Sequence, residues 1–95
     1  MLELNYQPKF FKCETTDINR IGNKTVFKFG NGLGQIKEIS VDESIDRIKS
    51  RMEDVKQGKR DAVYLTNGMM NVNIDLLSNG NWQLFDEFDV YEFNI

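Results

Sequence analysis

Histidine is absent from the 95 residues, and Cys13 is the one thiol. The commonest general base and metal ligand is therefore missing, and the thiol has no imidazole to activate it. A transition-metal site would lack soft ligands, so no metal and no cofactor is expected. Cys13 falls in a β-rich run and reads as a buried structural cysteine. Carboxylates are plentiful, yet the adjacent pairs Asp86/Glu87 and Glu53/Asp54 point to different sides of any regular helix or strand and cannot share one site. Gly30-x-Gly32-x-Gly34 lacks the Lys-Ser/Thr of a phosphate loop, and Gln35–Ile39 after it reads as a strand with no helix N-terminus to face a phosphate. No calcium-loop spacing occurs among the acids. Catalysis is the least supported class, and the expectation is that the protein is not an enzyme.

Two surfaces remain that could bind. One is acidic and aromatic: Phe85-Asp86-Glu87-Phe88-Asp89-Val90-Tyr91-Glu92-Phe93. If Phe88 and Val90 face the core with Trp82 and Leu84, then Phe85, Tyr91 and Phe93 lie on the other face with Glu87 and Asp89. Exposed aromatics anchor a protein partner and the carboxylates steer a basic surface toward them. The competing expectation is that these rings cover a second small core beneath the N-terminal strands. The other surface is basic and aromatic: Lys9-Phe10-Phe11-Lys12 and Lys24-Thr25-Val26-Phe27-Lys28-Phe29. Placed on neighbouring strands, such residues could stack bases and hold phosphates. Core aromatics on amphipathic strands explain them as well.

The charge distribution bears on the choice. Residues 1–60 hold twelve Lys and Arg and nine acids, a balance of +3, whereas residues 61–95 hold six acids and no base, a balance of −6. An overall charge of −3 disfavours a phosphate backbone as partner and suits a basic protein. Ten Asn against one Ala, one Pro and no His resembles the composition of small accessory proteins of AT-rich bacterial and phage genomes. Residues Met1–Tyr6 alternate and lack the apolar run of a secretory signal. No apolar run approaches the ~20 residues that span a bilayer. A cytoplasmic protein that does not enter membranes is expected.

These surfaces need elements to carry them. The length suits one domain, residues 1–95, burying roughly 60–65% of its unfolded surface. The best-signalled element is a helix over about 41–57, within Ser40–Gly58. Val41, Ile45, Ile48, Met52 and Val55 step by 4, 3, 4 and 3 along one side. Ser40 and Glu43 form a capping box by spacing, and Gly58 can close the last turn. Two heptads fall short of a coiled coil, so a monomer or weak homodimer is expected.

The remaining segments read as strands. Leu2–Tyr6 alternates, and Pro8 confines any strand there to an edge. Lys9–Thr15 and Lys24–Gly30 make a hairpin whose loop lies within Asp17–Asn23, with Thr25, Phe27 and Phe29 on one face of the second strand. Asn67-Gly68 is a hairpin signal, and as a two-residue loop it pairs Leu65 with Met70 and Val63 with Val72. Met70, Val72, Ile74 and Leu76 then face the core. A three-residue loop at Asn79-Gly80-Asn81 sets Leu76 opposite Leu84, Val72 opposite Phe88 and Met70 opposite Val90. It leaves Asp86 inward opposite Ile74 unless a bulge turns it out.

The fold expected is α+β, a mainly antiparallel sheet of about five to six strands in the order β-β-(β)-α-β-β-β. The helix lies across one face, with Ile48 and Met52 on the Met70–Leu76 row. The function expected is a non-catalytic protein-binding module, a small inhibitor or regulator. It contacts a larger basic protein such as a nucleic-acid enzyme through Phe85, Asp86, Glu87, Asp89, Tyr91, Glu92 and Phe93. The alternative is a single-stranded nucleic-acid-binding sheet using strands 9–12 and 24–29.

Overall fold

A computed structural model describes residues 8–95; the strand expected at Leu2–Tyr6 lies outside them. The fold is α+β and mostly sheet, with eight strands and one helix among the described residues: β1 (Phe10–Lys12), β2 (Thr15–Ile21), β3 (Lys24–Gly30), β4 (Ile36–Val41), α1 (Ile45–Lys56), β5 (Val63–Asn67), β6 (Met70–Leu76), β7 (Trp82–Phe85) and β8 (Val90–Phe93). They form two sheets where the sequence suggests one. A five-stranded sheet runs β1-β8-β7-β6-β5, and a three-stranded sheet runs β2-β3-β4. All pairings are antiparallel except β1 with β8.

The chain passes between sheets at Cys13-Glu14. The Cys13 N–H donates to the Glu92 carbonyl at 2.8 Å and the Glu14 N–H to the Gly30 carbonyl at 2.7 Å, so neighbouring amides belong to different sheets. A second corner joins β4 to β5 through the Asp42 N–H and the Thr66 carbonyl at 2.8 Å. The core lies between the sheets. Phe27 and Phe29 of β3 meet Tyr91 and Phe93 of β8, with Phe29 stacked on Tyr91 at 5.3 Å between ring centres and tilted on Phe93 at 5.1 Å. Such offset and tilted ring pairs add to the stability that burial alone provides. Helix α1 contributes Ile48, Met52 and Val55 to the same core and packs chiefly beside β5 and β2.

The helix starts later than its apolar stripe suggests. Ser40 and Val41 end β4, paired with Val26 and Thr25, so the ladder takes their backbone groups and no capping box forms at Ser40. The N-cap is Ser44, whose Oγ accepts from the Arg47 N–H at 3.4 Å. Val41 is buried as a strand residue. The C-terminus follows the expected pattern: Gly58 has φ 76°, its N–H donates to the Val55 carbonyl, and the Lys59 N–H donates to the Asp54 carbonyl. Those two bonds define a Schellman motif.

Each hairpin differs in register. Residues Thr15–Ile21, read in part as loop, pair fully with β3, leaving Gly22-Asn23 as the turn. Asp17 and Asn19 are poor strand formers held by their neighbour's ladder, since strand propensity yields to context. Of the run Lys9–Thr15, only Thr15 pairs with β3, while Phe10–Lys12 pair with β8. In the next hairpin Asn67 pairs with Met70, so that Leu65 faces Val72 and Val63 faces Ile74. The turn is Gly68-Met69, with positive φ at Gly68 and not at Met69, the pattern of a type II′ turn. The Gly68 N–H donates to Asp42 Oδ2 at 2.7 Å, a tertiary anchor invisible to local pattern. Leu76 faces Trp82 and Ile74 faces Leu84 across a loop of residues 77–81. Both pairings differ by two residues from those expected, which preserves the side-chain faces. Val72, Ile74, Trp82 and Leu84 are accordingly buried, while Met70 and Leu76 are half-buried.

Candidate protein-binding face

The C-terminal segment is a hairpin, where the sequence suggests one continuous strand. β7 ends at Phe85, residues 86–89 turn, and β8 returns with Val90 opposite Phe85, Tyr91 opposite Leu84 and Phe93 opposite Trp82. Asp86 closes the turn. Its Oδ1 accepts from the Phe88 N–H at 3.0 Å and the Asp89 N–H at 2.8 Å, an Asx arrangement. It is thus a turn residue, neither inward opposite Ile74 nor on a bulge. Glu87 has φ 75°, the one positive φ at a non-glycine among the described residues, and its Oε2 accepts from the Asn71 N–H. Phe88, expected in the core, is 52% exposed at the tip.

This turn redistributes the residues singled out from sequence. Tyr91 and Phe93 are buried between the sheets, not on an outer face, because reversing the chain at 86–89 points their side of β8 inward. Phe85 does lie on the outer face. Asp86, Glu87 and Asp89 border it on the turn, and Glu92 lies on it, accepting from Asn81 Nδ2 at 2.7 Å and Asn79 Nδ2 at 3.3 Å. Those amide bonds hold the Glu92 carboxyl below its ordinary range, with Lys12 on the neighbouring strand adding to them.

The strand register adds residues that periodicity alone does not reveal. Phe10 pairs with Val90, Val90 with Phe85, Phe85 with Asn73, and Asn73 with Tyr64. One row, Phe10–Val90–Phe85–Asn73–Tyr64, therefore crosses all five strands on the face opposite the core. Four strand spacings make it about 19 Å long. Phe10 is 60% and Tyr64 65% exposed. Beside it runs a polar row, Lys12–Glu92–Gln83–Asp75. At the other border stand the acidic turn and the Gly68-Met69 turn, with Met69 fully exposed and tied in through Asn71 and Glu87. The signal that could have found Phe10 and Tyr64 is the apolar doublet. Phe10-Phe11, Val63-Tyr64, Leu84-Phe85 and Val90-Tyr91 each put one apolar residue on either face of a strand.

The basic–aromatic surface is not assembled in this fold. Lys9–Lys12 and Lys24–Phe29 lie in different sheets, Phe27 and Phe29 are buried, and Lys24 pairs with Asp42 at 3.3 Å. Cys13 is half-buried at the sheet corner, where burial, with Glu92 adding, pushes its thiol up to about 12. Such a thiol carries almost no thiolate at neutral pH. Among the described residues no three His, Cys, Asp or Glu are grouped to hold a metal, and no helix is long and apolar enough to cross a membrane. Comparison with protein families, with curated proteins and with solved structures finds no match to this chain.

Proposed function

We propose that the protein is a non-catalytic protein-binding module, an inhibitor or regulator that sets the outer face of its five-stranded sheet against a larger basic protein. The observation that carries this reading is the Phe10–Val90–Phe85–Asn73–Tyr64 row on a face that α1 leaves open, bordered by Asp86, Glu87, Asp89 and Glu92. Aromatic rings of two rotatable bonds anchor an interface at low entropic cost. The carboxylates supply long-range attraction to Lys and Arg, and a nucleic-acid enzyme, whose own site is built for phosphates, fits that charge pattern. The positive φ of Glu87 is a second support, since a non-glycine in that region marks a position held against local preference.

The test is capture of a partner from the source organism at two salt concentrations, with three forms of the protein. These are the native chain, the quadruple variant Asp86→Asn, Glu87→Gln, Asp89→Asn, Glu92→Gln, and the double variant Phe10→Ala, Tyr64→Ala. A basic protein held by the native chain, released by salt and lost from both variants supports the proposal. Equal recovery by all three forms sinks it. A titration with single-stranded DNA at low salt is the companion measurement, and tight, salt-sensitive binding there would transfer the function to nucleic acid.

A further inference from the structure

A groove of about 430 Å³ separates α1 from β2, on a different part of the molecule from the outer face. The two elements run in opposite directions. Arg20, late in β2, pairs with Asp46 in the first turn of α1 at 3.1 Å, while Thr16 and Ile18 line the groove opposite Met52, Glu53 and Lys56. The groove is thus pinned at one end and open toward the C-terminal half of the helix. Its apolar lining is Ile18, Met52, Trp82 and Ile95, and Trp82, the single tryptophan, is almost wholly buried there.

The rim is cationic. Lys49 and Lys56, two turns apart on one helix face, line the groove with Glu53 between them. Among the described residues neither ammonium has a carboxylate within ion-pair distance, whereas Glu53 accepts from Gln57 Nε2 at 3.3 Å. Lysine stems add apolar wall below their charges. The volume falls within the roughly 300–1,000 Å³ of small-molecule sites, which combine an apolar lining with a few polar groups that orient the ligand.

We propose that this groove binds a small amphipathic monoanion of the fatty-carboxylate class. The chain lies on Ile18, Met52 and Trp82, and the carboxylate sits between Lys49 and Lys56. A cation is disfavoured by the two unpaired ammonium groups, and a wholly apolar ligand would leave them unused. The site is independent of the protein-binding reading and stands or falls without it.

Sodium decanoate, below its micelle concentration, is the probe. Titrated into the full chain, it is expected to change Trp82 emission saturably and to shift backbone amide resonances of α1 and β2. Lys49→Gln with Lys56→Gln should weaken binding roughly three- to tenfold, the range for two exposed charges, and Glu53→Gln should tighten it. Decanol, with the same chain and no charge, should bind more weakly than decanoate. Absence of a saturable change overturns the proposal. So does equal binding of decanol and decanoate, or amide shifts confined to the outer face of the five-stranded sheet. Glu53→Gln and the decanol comparison keep the test decisive should the double lysine variant fold poorly.

Discussion

Two neighbouring rows cross the same five strands and meet opposite fates. Phe11–Tyr91–Leu84–Ile74–Val63 faces inward, and Phe10–Val90–Phe85–Asn73–Tyr64, one residue along each strand, faces outward. Both are largely apolar. The inner row is met by Phe29 of the other sheet, stacked on Tyr91, and shares its core with α1, whereas the outer row ends in two rings that stand mostly in water. The difference lies in what packs above each row and not in its composition. An apolar row that the other described residues leave open to water is a cost to solubility, and that cost supports the binding role proposed for it.

The largest expected effect is on the inner row: Leu84→Ala should cost about 2–5 kcal/mol, as a fully buried truncation does, measured by chemical denaturation. Next is the helix that shares the core, where Ile48→Ala should cost about 2–4 kcal/mol, because Ile48 is fully buried. Ser44→Ala, which removes the cap that presents that helix, should cost about 1 kcal/mol, and Ser40→Ala should leave the helix end unchanged. On the outer row Tyr64→Ala should change stability by less than about 0.5 kcal/mol while weakening partner binding. Equal losses from Leu84→Ala and Tyr64→Ala would show that both rows are packed, and the functional reading of the outer one would go.

The smallest effect expected is pH-dependent. The Gly68 N–H, and then Lys24, hold the Asp42 carboxyl below its ordinary value of 3.8, and the amides of Asn81 and Asn79 hold Glu92 below 4.5. A lowered folded pKa means stability fully present above the ordinary value and lost as pH falls through the folded one. Thermal unfolding midpoints should therefore drop as pH falls through and below the ordinary values of 4.5 and 3.8. Asp42→Asn should flatten that decline, and an unchanged slope would remove Asp42 from the account.

Much of this was legible locally. The helix from Ile48 to its Schellman end, the buried face of β3, and the inward set Val72, Ile74, Trp82 and Leu84 follow from period and turn residues. Registers in the β5–β6 and β6–β7 hairpins differed by two residues and kept the faces of Val72, Ile74, Trp82 and Leu84, since only an odd slip exchanges them. Beyond Phe85 the turn exchanged them, and Val90, expected inward, lies on the outer row. The seven residues proposed for binding fared unevenly. Phe85, Asp86, Glu87, Asp89 and Glu92 remain on or beside the open face, while Tyr91 and Phe93 went into the core between the sheets, inward as the competing expectation had it, though in the main core and without Phe85. What misled was the run from Trp82 to Phe93, which carries no Gly or Pro to announce a turn. Asp86 makes the turn by accepting two amide protons.

The amino-acid sequence by itself determined the α+β class, the amphipathic helix, the chain-wide separation of charge and the lack of histidine chemistry, because each depends on residue identity and short-range spacing. Only the tertiary structure decided that there are two sheets, that β1 leaves β2 to join β8 in parallel, and which member of each apolar doublet is covered. Those outcomes depend on contacts between residues as far apart as Phe10 and Val90. A strand presents both its faces to any partner, and its neighbours in space choose between them.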